Sequence, residues 1–139
     1  ELNLEPWIDP HNDDQNFLRV RARKNVLPIM ERELGPGISD ALVRSANLLR
    51  DDADALDYLA DQYWAKEKSL EISKLETLPR AVRTRVLRLA LFEKGVSQLS
   101  SEQVSQVEAL ISNWKGQGEV SLPAGVKVSR ISGRLTLSS

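Results

Sequence analysis

The sequence predicts an α+β protein, mainly α, with several amphipathic helices followed by a small C-terminal antiparallel β meander. Two observations carry this. From Ile38 to Trp64 apolar residues recur at spacings of three and four, which is one helical stripe. After Gly116-Gln117-Gly118 the spacing becomes alternation, through Val120 and Leu122, then Val126 and Val128, then Ile131, Leu135 and Leu137. At 139 residues, 41% hydrophobic and 28% charged, the chain can form one core, or one small domain with a piece of another.

Glu1 to Ile8, with Pro6, reads as an extended lead-in. Asp9 to Asp14 (DPHNDD) is turn chemistry, since Asp and Asn bond their own backbone and Pro10 fixes a dihedral. Asp13 or Asp14 is placed to cap a helix starting near Gln15 or Asn16. That helix should bend at Pro28, or divide there into two short ones, because proline removes a helical donor and crowds the preceding turn. Gly35-Pro36-Gly37 stops it.

The Ile38–Trp64 helix is expected to bury Ala41, Leu42, Leu49, Leu56, Leu59, Ala60 and their neighbours in the stripe. Its opposite face holds Arg50, Asp51, Asp52, Asp54, Asp57 and Asp61, a solvated face, a docking face for a basic partner or a device that repels RNA from the wrong side. Lys66 to Leu75 is read as a polar, partly helical connection. Thr77-Leu78-Pro79 opens a helix with proline in the first turn, where its missing donor is harmless. Leu78, Val82, Val86, Leu89 and Ala90 form its buried stripe, while Arg80, Arg83, Arg85 and Arg88 are expected on a solvated face, the other reading being a second phosphate-binding cluster. Gly95 ends that helix. Ser100 to Gln103 has the spacing of a capping box, ahead of a helix with Val104, Val107, Leu110, Ile111 and Trp114 on one face. Pro123-Ala124-Gly125 and Ser132-Gly133 are the turns of the meander.

Composition removes several functions. There is no cysteine, so disulfides, thiol catalysis and thiolate metal sites are out, and the one histidine, His11, disfavours a zinc site. A net charge of −1 gives no global field, so any nucleic-acid contact needs a local basic patch. No apolar run is long enough to span a bilayer, and a cytoplasmic location is the expectation. The glycine pairs lack the strand-before, helix-after setting of a phosphate loop. The chain starts at Glu1 and has a single methionine, Met30, so it is expected to be a piece of something longer.

The concentration of chemistry is DPHNDDQNFLRVRARKNVLPIM, Asp9 to Met30. On a helix Arg19 and Arg23 share a face, Arg21 points elsewhere, and Lys24 extends the Arg21 side. Two stacked guanidinium groups can grip consecutive phosphates. Equally, the cations can serve solubility and pair with Asp13, Asp14 or Glu31.

This stretch resembles DPSNxDxxFxRNxIRxxxLP of the tRNA(Ile)-lysidine synthetases. Asp9, Pro10, Asn12, Asp14, Phe17, Arg19, Arg23, Leu27 and Pro28 match in order. His11, Val20 and Ala22 depart from the serine, asparagine and isoleucine of that pattern. The continuation is also similar: ALVRSANLLRDDADAL, LETLPRAVRTRVLRLAL and ISNWKGQGEVSLPAGVKVSR with a closing GRLTL, so the resemblance covers essentially the whole chain. The family's SGGxDS ATP loop occurs nowhere in it.

The resemblance implies an ATP-dependent ligase that adenylates the wobble cytidine of the CAU anticodon of tRNA(Ile) and joins lysine to it. Residues 1–30 would end its catalytic domain, and residues 31–139 would be the helical, tRNA-binding domain with its meander. ATP and magnesium would be held by the missing N-terminal part, with no cofactor expected in this piece, which alone should be inactive. Arg19 and Arg23 would then stand at the reaction centre. Asn12, Arg21, Lys24, Lys127, Arg130 and Arg134 become candidate RNA contacts. A homodimer through the free end of the meander is compatible with the pattern. The other reading is a helical interaction module docking a protein through its acidic helix or meander edge.

Overall fold

The computed structural model describes residues 14–138. Its elements are α1 (Leu18–Arg21), a π-helical turn (Ala22–Val26), α2 (Leu27–Leu34), α3 (Ile38–Glu67), α4 (Ile72–Leu75), α5 (Arg80–Phe92), α6 (Ser101–Ser112) and strands β1 (Val120–Ser121), β2 (Lys127–Ile131) and β3 (Arg134–Ser138). This is the expected α+β, mainly α, arrangement. By contacts the chain divides into two compact units between Arg50 and Asp51, inside α3.

In the first unit the helix begins at Leu18, later than the expected Gln15 or Asn16. Asp14 explains the delay. Its Oδ1 accepts the Asn16 amide at 2.9 Å and its carbonyl accepts the Phe17 amide at 3.2 Å, so it shapes a turn instead of capping a helix. Asp13 lies outside the described residues. Pro28 is accommodated by a π turn placed just before it, in which the Leu27 amide donates five residues back to Ala22. The wider turn leaves Pro28 in the first turn of α2, where no donor is required of it. The chain thus stays helical from Leu18 to Leu34, and its two α segments meet at the π turn ahead of Pro28 and not at the proline itself.

The apolar stripe of α3 is only partly a core face. Ala60 is its one buried residue among the described ones, with Leu56, Tyr63 and Trp64 packed against the core. Leu42, Leu49 and Leu59 are 47%, 67% and 52% exposed, contrary to the expected burial. The helical period was correct, but periodicity does not say how much of a helix's length finds a partner.

In the second unit the core is made by α4, α5, α6 and the sheet, with Leu75, Val86, Leu110 and Val128 fully enclosed. The stretch read as a polar connection contributes Leu70, Ile72 and Leu75 to that core. It also lies along β3: the Leu135 amide donates to Leu70 O and the Ile72 amide to Gly133 O, both at 2.9 Å. That part of the β3 edge is therefore already paired. The sheet order is β1-β2-β3, antiparallel throughout, with Val128 opposite both Val120 and Leu137. Ser132 and Gly133 have φ of 48° and 76°, the pair of positive values that a two-residue hairpin with matching twist demands. Ile131, placed in the apolar alternation, is instead 55% exposed.

Helix α5 starts one residue after Pro79, which occupies its N-cap. Helix α6 has the expected capping box: Ser100 Oγ accepts the Gln103 amide at 3.1 Å and Gln103 Oε1 accepts the Ser100 amide at 2.9 Å. The expectation for the arginines of α5 fails at Arg83. Arg83 is buried, and its Nη2 donates to the buried Glu108 Oε1 of α6 at 2.5 Å. Ser112 Oγ donates to Glu108 Oε2 at 2.9 Å, and Arg83 Nη1 reaches the carbonyls of Leu75 and Leu78, each at 3.4 Å. Arg83 Nε has no partner among the described residues.

Removing one member of such a pair strands the other charge in the core. Glu108→Ala should therefore destabilise the fold by about 3–5 kcal/mol, while Arg83→Met with Glu108→Leu should recover most of that. Urea unfolding of the three proteins measures it.

Candidate nucleic-acid interface

The first cluster of cations sits on α1 and the π turn. Arg19 lies over the Phe17 ring, its guanidinium carbon 4.9 Å from the centroid, a contact that orients the side chain. Arg21 closes α1, and Arg23 and Lys24 stand on the π turn; all four cations are exposed. The interval from Arg19 to Arg23 is helical throughout. Asn12 lies outside the described residues.

Glu31, which sequence reasoning offered as a partner for these cations, is engaged elsewhere. Its Oε1 accepts the Ser39 amide at 2.7 Å, and its Oε2 accepts the Gly37 amide at 2.7 Å and the Ile38 amide at 3.3 Å. A carboxylate from α2 thus caps the first turn of α3 across the Gly35-Pro36-Gly37 turn. The Ser39 amide and hydroxyl, then the Gly37 and Ile38 amides, hold the Glu31 carboxyl below the ordinary carboxylate range. No short-range pattern marks this cap, because Glu31 and Ser39 are eight residues apart.

The second set of candidates is on the meander, where the structure separates them. Lys127, at the start of β2, forms an ion pair with Glu119. Arg130 lies about 10 Å further along β2. Its Nη1 donates to the carbonyls of Leu110 at 3.0 Å and Ile111 at 3.4 Å, and its guanidinium lies 5.4 Å from the Trp114 ring centroid. Arg130 therefore closes the C-terminus of α6, where the dipole favours a cation. Gln117 shares the task, its Nε2 donating to Asn113 O at 2.9 Å. Arg134 is exposed, with no ion pair or side-chain hydrogen bond among the described residues. Arg130 and Arg134 line one cleft of about 580 Å³, with Ser132, Gly133, Ser73 and the carboxylates Glu71 and Glu76.

Among the described residues, no group of three or more His, Cys, Asp or Glu converges to hold a metal ion. The amides at the start of α3 are already filled by Glu31. Nor, among the described residues, is any helix long and apolar enough to cross a membrane.

Against known families, residues 70–136 match the TilS substrate binding domain, the stretch that holds α4 to α6 and the meander. The similarity extends beyond that domain. The chain is 43% identical over 144 residues to the tRNA(Ile)-lysidine synthase of Thermobifida fusca, covering 99% of this chain and 44% of that protein. It is 49% identical over 145 residues to the tRNA(Ile)-lysidine synthase of Leifsonia xyli, covering 98% and 43%. The tRNA(Ile)-lysidine synthase of Streptomyces coelicolor is 44% identical over 141 residues, covering 97% and 40%. The resemblance carried by the Asp9–Pro28 stretch and the later motifs is thus borne out. The chain spans less than half the length of the curated relatives it matches.

The Glu31 cap gives a signed pH test. Because the folded state lowers this carboxyl's pKa, the cap is fully present at neutral pH and is lost as pH falls through the lowered value. Amide exchange at Gly37, Ile38 and Ser39 should be slow near neutrality and accelerate in acid, beyond the intrinsic trend. In Glu31→Gln it should be fast at both.

Proposed function

We propose that this chain is the tRNA-recognising part of a tRNA(Ile)-lysidine synthase, the ATP-dependent ligase that joins lysine to the wobble cytidine of the CAU anticodon. The observation that carries this is the substrate binding domain match at residues 70–136 inside an alignment to lysidine synthases that covers 97–99% of the chain. Residues 1–30 end the catalytic domain and residues 31–139 form the tRNA-binding domain. ATP and magnesium are held by parts of the enzyme outside this chain, and the enzyme works in the cytoplasm.

Within that enzyme, Arg19 and Arg23 serve the reaction centre. Arginine stays charged at any working pH and presents a planar fork that suits phosphate, so it can neutralise charge on the tRNA backbone or on the adenylated intermediate. Arg21 and Lys24 continue the basic surface toward the tRNA, with Asn12 preceding it in the same motif. On the meander, Arg134 and Lys127 contact phosphate, and Arg130 contributes from the same cleft as Arg134 while holding α6. An enzyme that modifies an anticodon base needs such contacts both at the loop and away from it.

In the full-length protein, Arg19→Ala and Arg23→Ala should each abolish lysine transfer to a CAU isoleucine tRNA while leaving thermal melting unchanged. Transfer at the normal rate in both would remove their role. The meander arginines should separate by a different pair of readouts. Arg130→Ala should lower stability by about 1–2 kcal/mol through loss of the α6 cap and the Trp114 contact. Arg134→Ala should leave stability unchanged and weaken tRNA binding; an unaltered affinity would exclude it from the interface.

A further inference from the structure

Helix α5 carries four arginines and no carboxylate, and its first turn holds no acid. Cations near a helix N-terminus oppose the positive end of its dipole, so Arg80 and Arg83 run against the ordinary charge preference. Breaches of a local rule are expected where function requires them.

The structure accounts for two of the four. Arg83 turns into the core to Glu108, and Arg85 Nε pairs with Asp57 Oδ1 of α3 at 2.5 Å. Arg80 stays exposed. Its Nε forms a long ion pair, 3.9 Å, with Glu108 Oε2, which also accepts from Ser112. Arg88 is also exposed and has no ion pair among the described residues. Its Nη1 donates to Leu99 O at 3.1 Å, which steadies the guanidinium and leaves its other donors for a ligand. One turn further on, Phe92 is 65% exposed. Arg80, Thr84, Arg88 and Phe92 follow one another at intervals of four along the solvent side of α5. Arg80 and Arg88 are about 12 Å apart along the axis. Arg88 and Phe92 also border a cleft of about 420 Å³ with Leu89, Val96 and Asp61.

We propose that the Arg80–Thr84–Arg88–Phe92 face of α5 docks the ribose-phosphate backbone of the tRNA, with Arg80 and Arg88 each neutralising a phosphate and Phe92 lying against a sugar or an unpaired base. This rests on the tRNA-binding function proposed above and adds a surface to it. Charge and shape favour RNA over a protein partner. Two exposed cations, Arg80 with only a long ion pair to Glu108 and Arg88 with none among the described residues, suit a polyanion, and an exposed phenyl beside a guanidinium gives the flat surface on which unpaired bases stack. Asp57 and Asp61 of α3 border the face on one side and repel phosphate, so the strand runs on the other.

The test is fluorescence anisotropy of the full-length protein with a CAU isoleucine tRNA transcript across a salt series. Arg80→Gln with Arg88→Gln should reduce the slope of log Kd against log salt by about 1.4–1.8, the release of counterions from two phosphates. Arg80→Lys with Arg88→Lys should keep the slope, and Phe92→Ala should weaken binding without altering it. Circular dichroism melting checks that each variant folds. If the unmodified protein binds and the double glutamine variant keeps its full slope, the α5 face is not an RNA surface, and the tRNA function survives. If the unmodified protein fails to bind the transcript, both fall.

Discussion

The ion pair between Arg83 and Glu108 is the constraint on which the second unit depends. It stands inside an otherwise apolar contact between α5 and α6, and it specifies more than adhesion. Apolar residues tolerate sliding, whereas a buried guanidinium fixed by a carboxylate at 2.5 Å and two backbone carbonyls admits one register. Once α6 is set in that register, its C-terminal carbonyls face Arg130 of β2 and Gln117 of the preceding loop. The meander is then docked through polar contacts as well as through Val128 and Leu135. Net stabilisation from such a pair is small, because desolvation offsets most of the attraction; its weight lies in the penalty for breaking it.

The arginines of this chain consequently divide by what they face. Arg83 and Arg130 bind protein carbonyls or carboxylates and hold elements together, and Arg85 ties α5 to α3 through Asp57. Arg80, Arg88 and Arg134 are exposed, and their positions on α5 and the hairpin put cations on the domain that matches the TilS substrate binding domain. A net charge of −1 conceals this, because the carboxylates are concentrated on α3 and in the local pairs. Local placement of charge, not its total, is what a nucleic acid would meet.

Much of the fold was legible in the sequence because its signals are short-range. The Ser100–Gln103 capping box and the Ser132-Gly133 turn each act within a few residues, and each has its expected consequence. What was illegible depends on pairing at a distance. Arg83 and Glu108 are 25 residues apart, and an arginine on a basic helix looks like every other arginine until its partner is placed. One clue existed: Glu108 falls among Val104, Val107 and Ile111 on the apolar side of α6, where an unpaired carboxylate would be costly. Leu42 and Leu49 illustrate the converse limit, since a helical stripe reveals a face and not what covers it. For the candidate site, the motif located Arg19 and Arg23 on a helix, but the π turn and the diversion of Glu31 to α3 could be seen only in three dimensions.

The most direct test of the account is transfer of labelled lysine by the full-length protein, with ATP, to two transcripts that share the CAU anticodon, one an isoleucine tRNA and the other a methionine tRNA. The account predicts label in the isoleucine tRNA, confined to the wobble cytidine, and none in the methionine tRNA. Failure to label either transcript, by protein that is folded and binds ATP, would contradict it.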